Sequence, residues 1–309
     1  MFLLAGDVQI DPTEHVRDVV LLKIGEVPIV TMHMVTLIAV TVVFLLVMMK
    51  AAKAIATGPE SEGNDRYMTR GRLGQIIETM VVYLRDEMLA PVLGARDTKR
   101  YLPYLMTLFF FVLFQNLFGM IPVADILHLF GVHQTPIGGT ATANIMVTGA
   151  LAVLSFFMIE LHGFREQGLK GWLLHNCGGL VPGPVYLLPI ALLVFVVELA
   201  GHLIKPTALA IRLFANMFAG HTLMAVLLSF GLVAHNGGMG LLGIGTISVI
   251  SGAAAVMVMF LELFVAFLQA FIFMFLTAVF LSLMSHHEQE HEHEHEHARP
   301  EPALEPASA

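Results

Sequence analysis

Apolar residues run almost unbroken through five stretches of the chain, and polar residues gather between them. The first stretch, 28–49, is long enough for one membrane crossing. Pro28 suits its first helical turn, where a missing N–H would lack a partner anyway. Residues 101–121 and 144–161 form the second and third stretches. The last two, 187–230 and 244–284, are each near twice the length of one crossing, which predicts steep tilting. Runs this continuous predict helices, because barrel strands would alternate polar and apolar positions. Within 73–90, apolar residues from Ile76 to Leu89 recur mostly at three- and four-residue steps. That pattern predicts an amphipathic helix, lying on the membrane surface or packed on a partner subunit. The fold expected is an all-α polytopic membrane protein. It has about five membrane helices plus a surface amphipathic helix, the last two membrane helices long and tilted.

The organisation follows from the same pattern. Residues 1–27 form an external segment, 28–49 the first membrane helix, and 50–100 a cytoplasmic segment containing the amphipathic helix. Residues 101–286 form the main membrane domain. Within it, 162–185 and 231–243 read as Gly-rich turns. The His/Glu alternation of 287–309 reads as a solvated, disordered tail.

Composition agrees with a membrane protein: 57% hydrophobic, 13% charged, mean hydropathy +0.78. The net charge of −8 leans on the tail. No basic arm interleaved with aromatics is present, so nucleic acid is not an expected partner. The single cysteine, Cys177, excludes an internal disulfide and a multi-cysteine metal site. The first residues lack the positive region of a signal peptide. Twelve of the sixteen Lys/Arg fall in 50–100, 162–185 and 285–309, against Arg17 and Lys23 on the other side. The positive-inside rule then puts the N-terminus outside and the C-terminus in the cytoplasm.

The candidate chemistry sits in the fourth stretch, which carries Glu198, His202, Lys205, Arg212, Asn216 and His221. A charge at mid-bilayer costs roughly 2.5–3.5 kcal/mol on insertion scales, so such residues face a bundle interior or a wet cavity and mark ion paths. At about 100° per residue the first five fall in one narrow stripe, and His221 points about half a turn away. Arg212 keeps its proton at any physiological pH. It cannot relay protons, but it can favour a nearby ionised carboxylate or block a water path. In the fifth stretch Glu262 is the only acid, with Gln269 seven residues on along the same face. His221 is its natural partner, although packing through the turn leaves the two out of register unless the last helix starts irregularly.

The segments LIKPTALAIRLFANMFAGH and LQAFIFMFLTAVFLSLMS resemble the subunit a family of F-type ATP synthases. Arg212 and Asn216 carry the first match and Gln269 the second. FQNLFGMIP with Asn116 and TATANI with Asn144 add to it. The resemblance covers about residues 70–286. It implies a stator subunit in the bacterial inner membrane, conducting protons through two offset half-channels to and from a carboxylate on a ring of c subunits. Arg212 would separate the half-channels and Glu198 line the cytoplasmic one. His221 and Glu262 would line the outer one, with Asn116, Asn144, Asn216 and Gln269 in support. The other partners implied are the b subunits of the peripheral stalk, membrane lipid and, indirectly, the catalytic head. The subunit itself would be non-catalytic, and no GxxxxGK[ST] phosphate loop occurs in the chain.

Relative to some members the acid and the histidine are exchanged between the two helices. Where some members carry acids, this chain has Gly119 and Thr142. Two rivals remain open at this point. A secondary ion transporter would show internal repeats. An intramembrane metalloenzyme would use Glu198, His202, His221 and Glu262 as ligands, without an HExxH motif.

Overall fold

The computed structural model describes residues 20–24, 27–55, 69, 71–121, 138, 140–177, 188–237 and 240–285. The expected N-terminal segment before residue 20, residues 58–65 and 122–137, and the His/Glu tail lie outside the described residues.

A short antiparallel hairpin, β1 (Val20–Ile24) and β2 (Val27–Thr31), precedes the first helix. The helix expected from residue 28 therefore begins later, at α1 (Met32–Ile55). Val27, Ile29, Val30 and Thr31 are β-branched and favour the strand. Pro28 pairs with Lys23 across the hairpin instead of opening a helix. Thr31 then starts α1 by accepting the Met34 N–H at its Oγ1, 3.4 Å away.

The surface helix and the second span are also joined, contrary to the sequence expectation. α2 (Arg72–Tyr83) passes through a π-helical turn (Leu84–Leu89) into α3 (Ala90–Gly119). The change of direction falls at Gly94, whose φ of 75° and ψ of 167° lie in a region open essentially to glycine alone. α4 (Ile145–Asn176) likewise runs on through residues expected to form a turn, and breaks only at Gly168 (φ 67°). Beyond that break Trp172 folds back to stack on Phe164, with ring centroids 4.6 Å apart. α5 (Leu188–Asn236) and α6 (Leu241–Ser285) have 49 and 45 residues. The turn between them is shorter than expected, because Leu232, Val233 and Ala234 continue the α5 helix.

Five helices among the described residues are long and apolar enough to cross a membrane. The core forms where α3 meets α6, around Leu105, Phe109, Phe110, Leu213, Met274 and Leu281. Ala266, Ala270 and Ala278 are fully buried along α6, and such small residues let membrane helices approach closely. Polar ties fix the ends. Ser282 Oγ donates to the Val92 carbonyl at 2.7 Å, and Gln115 Nε2 donates to the Leu37 carbonyl of α1 at 3.3 Å. α5 lies against α4 on one side and α6 on the other, so its polar stripe runs along the flank of the bundle.

Candidate functional site

The α5 stripe follows the boundary between a buried and an exposed helix face. Leu209, Leu213 and Met217 are buried, while Ala208, Ile211, Ala215 and Ala219 are exposed. Arg212 belongs to the exposed side. Among the described residues no carboxylate pairs with its guanidinium. Its neighbours on that face are mostly small, so the charge stands on a shallow surface that another helix could approach closely.

Nine residues further along α5, about 13 Å of helix, His221 points inward. Its Nε2 lies 3.7 Å from Oε1 of Glu262, which is only 3% exposed on α6. The two groups paired from the sequence are thus brought together. α6 is helical from Leu241, so the irregular start that the register called for is absent. Glu262 packs over Gly220: a Cβ there would meet Oε1 at 2.7 Å and Cδ at 3.0 Å. Gly220→Ala is expected to push the carboxylate off His221, which a structure of the variant would show as a His221–Glu262 separation clearly longer than 3.7 Å.

Around this pair the structure adds Thr140 and His33, which the sequence did not single out, to the residues it did. Thr140 touches His221 Nε2 and donates to the Gly119 carbonyl at 3.1 Å. A Cβ on Gly119 would run into Thr140, so the space that an acid at 119 would take is filled by the threonine side chain. Thr142 donates to Asn116 Oδ1 at 2.9 Å, both side chains fully buried. His33 of α1 is buried and near enough to His221 for their charges to interact. Asn216 Nδ2 donates to Gln269 Oε1 at 3.2 Å, tying α5 to α6 between Arg212 and His221. Asn144 does something simpler: its Oδ1 accepts the Met146 N–H at 2.9 Å and caps α4. The cap holds the 3₁₀ turn Ala141–Ala143, which sits between Thr140 and Asn144.

Glu198 lies at the other end of the stripe, fourteen residues and about 21 Å of helix from Arg212. It approaches His202 Nε2 at 3.6 Å. The four residues weighed as metal ligands therefore fall into two clusters at opposite ends of the stripe, Glu198 with His202 and His221 with Glu262, and do not converge.

Fold and site together define a multi-pass helical membrane protein. On the exposed face of α5, Arg212 stands between two clusters of protonatable side chains. The chain belongs to the ATP synthase A chain family, whose model matches residues 30–282. It is 39% identical over 225 residues to ATP synthase subunit a of Myxococcus xanthus (strain DK1622), which is 72% of this chain and 65% of that one. To ATP synthase subunit a of Anaeromyxobacter dehalogenans (strain 2CP-C) it is 36% identical over 270 residues, 86% of this chain and 61% of the relative. To ATP synthase subunit a 2 of Prosthecochloris aestuarii (strain DSM 271 / SK 413) it is 35% identical over 251 residues, 79% and 68% of the two chains. The chain thus spans less than two thirds of the length of the first two relatives.

Proposed function

We propose that this chain is the stator subunit against which a ring of c subunits turns in a bacterial rotary ATP synthase. Protons enter through one half-channel, load a carboxylate on the ring, travel round with it, and leave through a second half-channel. His221 and Glu262 form the protonatable pair of the outer path. Asn116, Asn216 and Gln269 line and orient it, and Asn144 holds the turn that carries Thr140 and Thr142. Glu198 lines the cytoplasmic path. Arg212 lies between the two and forces the ring carboxylate to give up its proton as it passes.

The observation that carries this reading is the outward-facing Arg212, beside which no carboxylate lies among the described residues. Membership of the family and the separation of two protonatable clusters along α5 support it. The charge asymmetry of the sequence favours an external N-terminus and a cytoplasmic C-terminus, with the b subunits and the catalytic head as further partners. The subunit conducts and takes no part in nucleotide chemistry, in keeping with the missing phosphate loop. One charge crossing 100 mV is worth about 2.3 kcal/mol, so several protons must be geared to each ATP, and a stepping ring supplies that gearing. Substitution of Arg212 in the assembled complex tests the proposal.

A further inference from the structure

The far end of the α5 stripe contains more than Glu198. Glu160, near the end of the membrane-embedded part of α4, turns its carboxylate toward α5. One oxygen accepts the Trp172 indole N–H at 3.0 Å, and the other lies 2.9 Å from His202 Nδ1. The opposite nitrogen of His202 is the one facing Glu198. The imidazole lies between two carboxylates, one buried with a side-chain exposure of 9% and one open at 43%, and neither contact is an aligned hydrogen bond; His202 itself is 7% exposed. The three groups do not share a common centre, and among the described residues no such group is arranged to hold a metal ion. A cavity of about 50 Å³ adjoins Glu198 and His202 but not Glu160, and Lys205, Pro206 and Phe280 also line it. That is room for about three waters. Pro206 has no N–H to give the His202 carbonyl one turn back, so that oxygen is free to accept from water.

A helix-to-helix tie needs none of this. Serine, threonine or asparagine would join α4 to α5 without burying a carboxylate, whose desolvation costs several kcal/mol. A neutral imidazole carries a proton on one nitrogen and a lone pair on the other, and here each nitrogen faces its own carboxylate.

We propose that Glu160, His202 and Glu198 form a proton relay in the half-channel to which Glu198 is assigned; the proposal rests on that assignment. A proton on Glu198 passes to His202 Nε2, giving the imidazolium. The Nδ1 proton then passes to Glu160, and the imidazole is left neutral as the other tautomer. Glu160, 9% exposed, hands that proton on to water at its edge, and proton exchange between His202 and cavity water restores the first tautomer; the steps run backward when flow reverses. Trp172 positions Glu160. Lys205 lines the same cavity as Glu198, its Nζ 5.0 Å from the Phe280 ring centroid.

The test is passive proton conduction in inverted vesicles stripped of the catalytic head, alongside ATP synthesis by intact complexes. His202→Gln and Glu160→Gln are each expected to lower conduction at least about tenfold, the lower range for loss of a proton-transfer group. The double variant should be no worse than the poorer single one. Added imidazole should restore conduction to His202→Ala and not to Glu160→Gln, an outcome that a purely structural role for His202 would not give. If His202→Gln or Glu160→Gln conducts within about twofold of the parent, the relay is wrong. If either fails to assemble, the imidazole arm decides: no rescue overturns the proposal. Arg212→Ala in the same membranes keeps the two readings apart. Its loss of synthesis beside unaffected Glu160 and His202 variants would leave the stator standing without the relay. Continued synthesis with Arg212→Ala would remove the stator reading itself.

Discussion

Complexes carrying Arg212→Ala will assemble and will make no measurable ATP from an imposed proton gradient. Assembly is expected because the side chain faces outward and the bundle does not pack on it. Leu213 and Met217 carry the α5 core contacts, and alanine is the strongest helix former. Activity should fall by at least about 10²–10³-fold, the scale for removing a preorganised charge from a water-excluded site. Without a fixed positive charge, a carboxylate passing α5 has no reason to release its proton at that point. Nothing then separates the two water paths, and protons can pass without turning the rotor. ATP formation by inverted vesicles measures the first effect, and proton leak in the same vesicles the second.

The second large effect concerns His221 and Glu262. Each single replacement, His221→Ala or Glu262→Gln, should lower proton-driven synthesis by about 10²-fold, because a lone member of the pair is left without its proton-transfer partner. Exchanging the two, His221→Glu with Glu262→His, should retain clearly more activity than either. The two side chains approach across one helix interface, 3.7 Å apart, and Gly220 leaves the space into which the α6 side chain folds. An acid and an imidazole facing each other can exchange a proton whichever helix carries which. Synthesis rates for the three variants, normalised to assembled subunit, decide this. Equal loss in all three would show that the two residues do not act as a pair.

The sequence was most informative where single-helix geometry sufficed. The stripe from Glu198 to Asn216 is a property of one helix, and α5 is helical throughout, so spacing alone placed those residues. The pairing of His221 with Glu262 was legible because a turn joins their helices directly. Glu160 was not legible. It is a lone acid ending an apolar run, its partner is forty-two residues away, and only the packing of α4 on α5 brings them together. Thr140 escaped for a similar reason: its importance lies in touching Gly119 and His221, on two other segments. Element ends were misjudged where glycine was taken as a stop. Gly168 bends its segment but leaves helix on both sides, and residues 162–176 were expected to be turn for that reason. The hairpin before α1 was hidden by Pro28, which fits a strand as well as it fits a first helical turn.

Disulfide trapping against the rotor asks whether Arg212 stands opposite a moving acid. Cys177, the single native cysteine, is replaced by serine, and one cysteine is placed at Ala208, Ala215 or Ala219, beside Arg212 on the exposed face of α5. A second is placed next to the ring carboxylate. A disulfide forms only when the two Cα atoms come within about 7 Å. Efficient cross-linking at Ala215, with rotation blocked until the bond is reduced, is the predicted result. No cross-link from any of the three positions, in complexes that assemble and turn over normally, would contradict it.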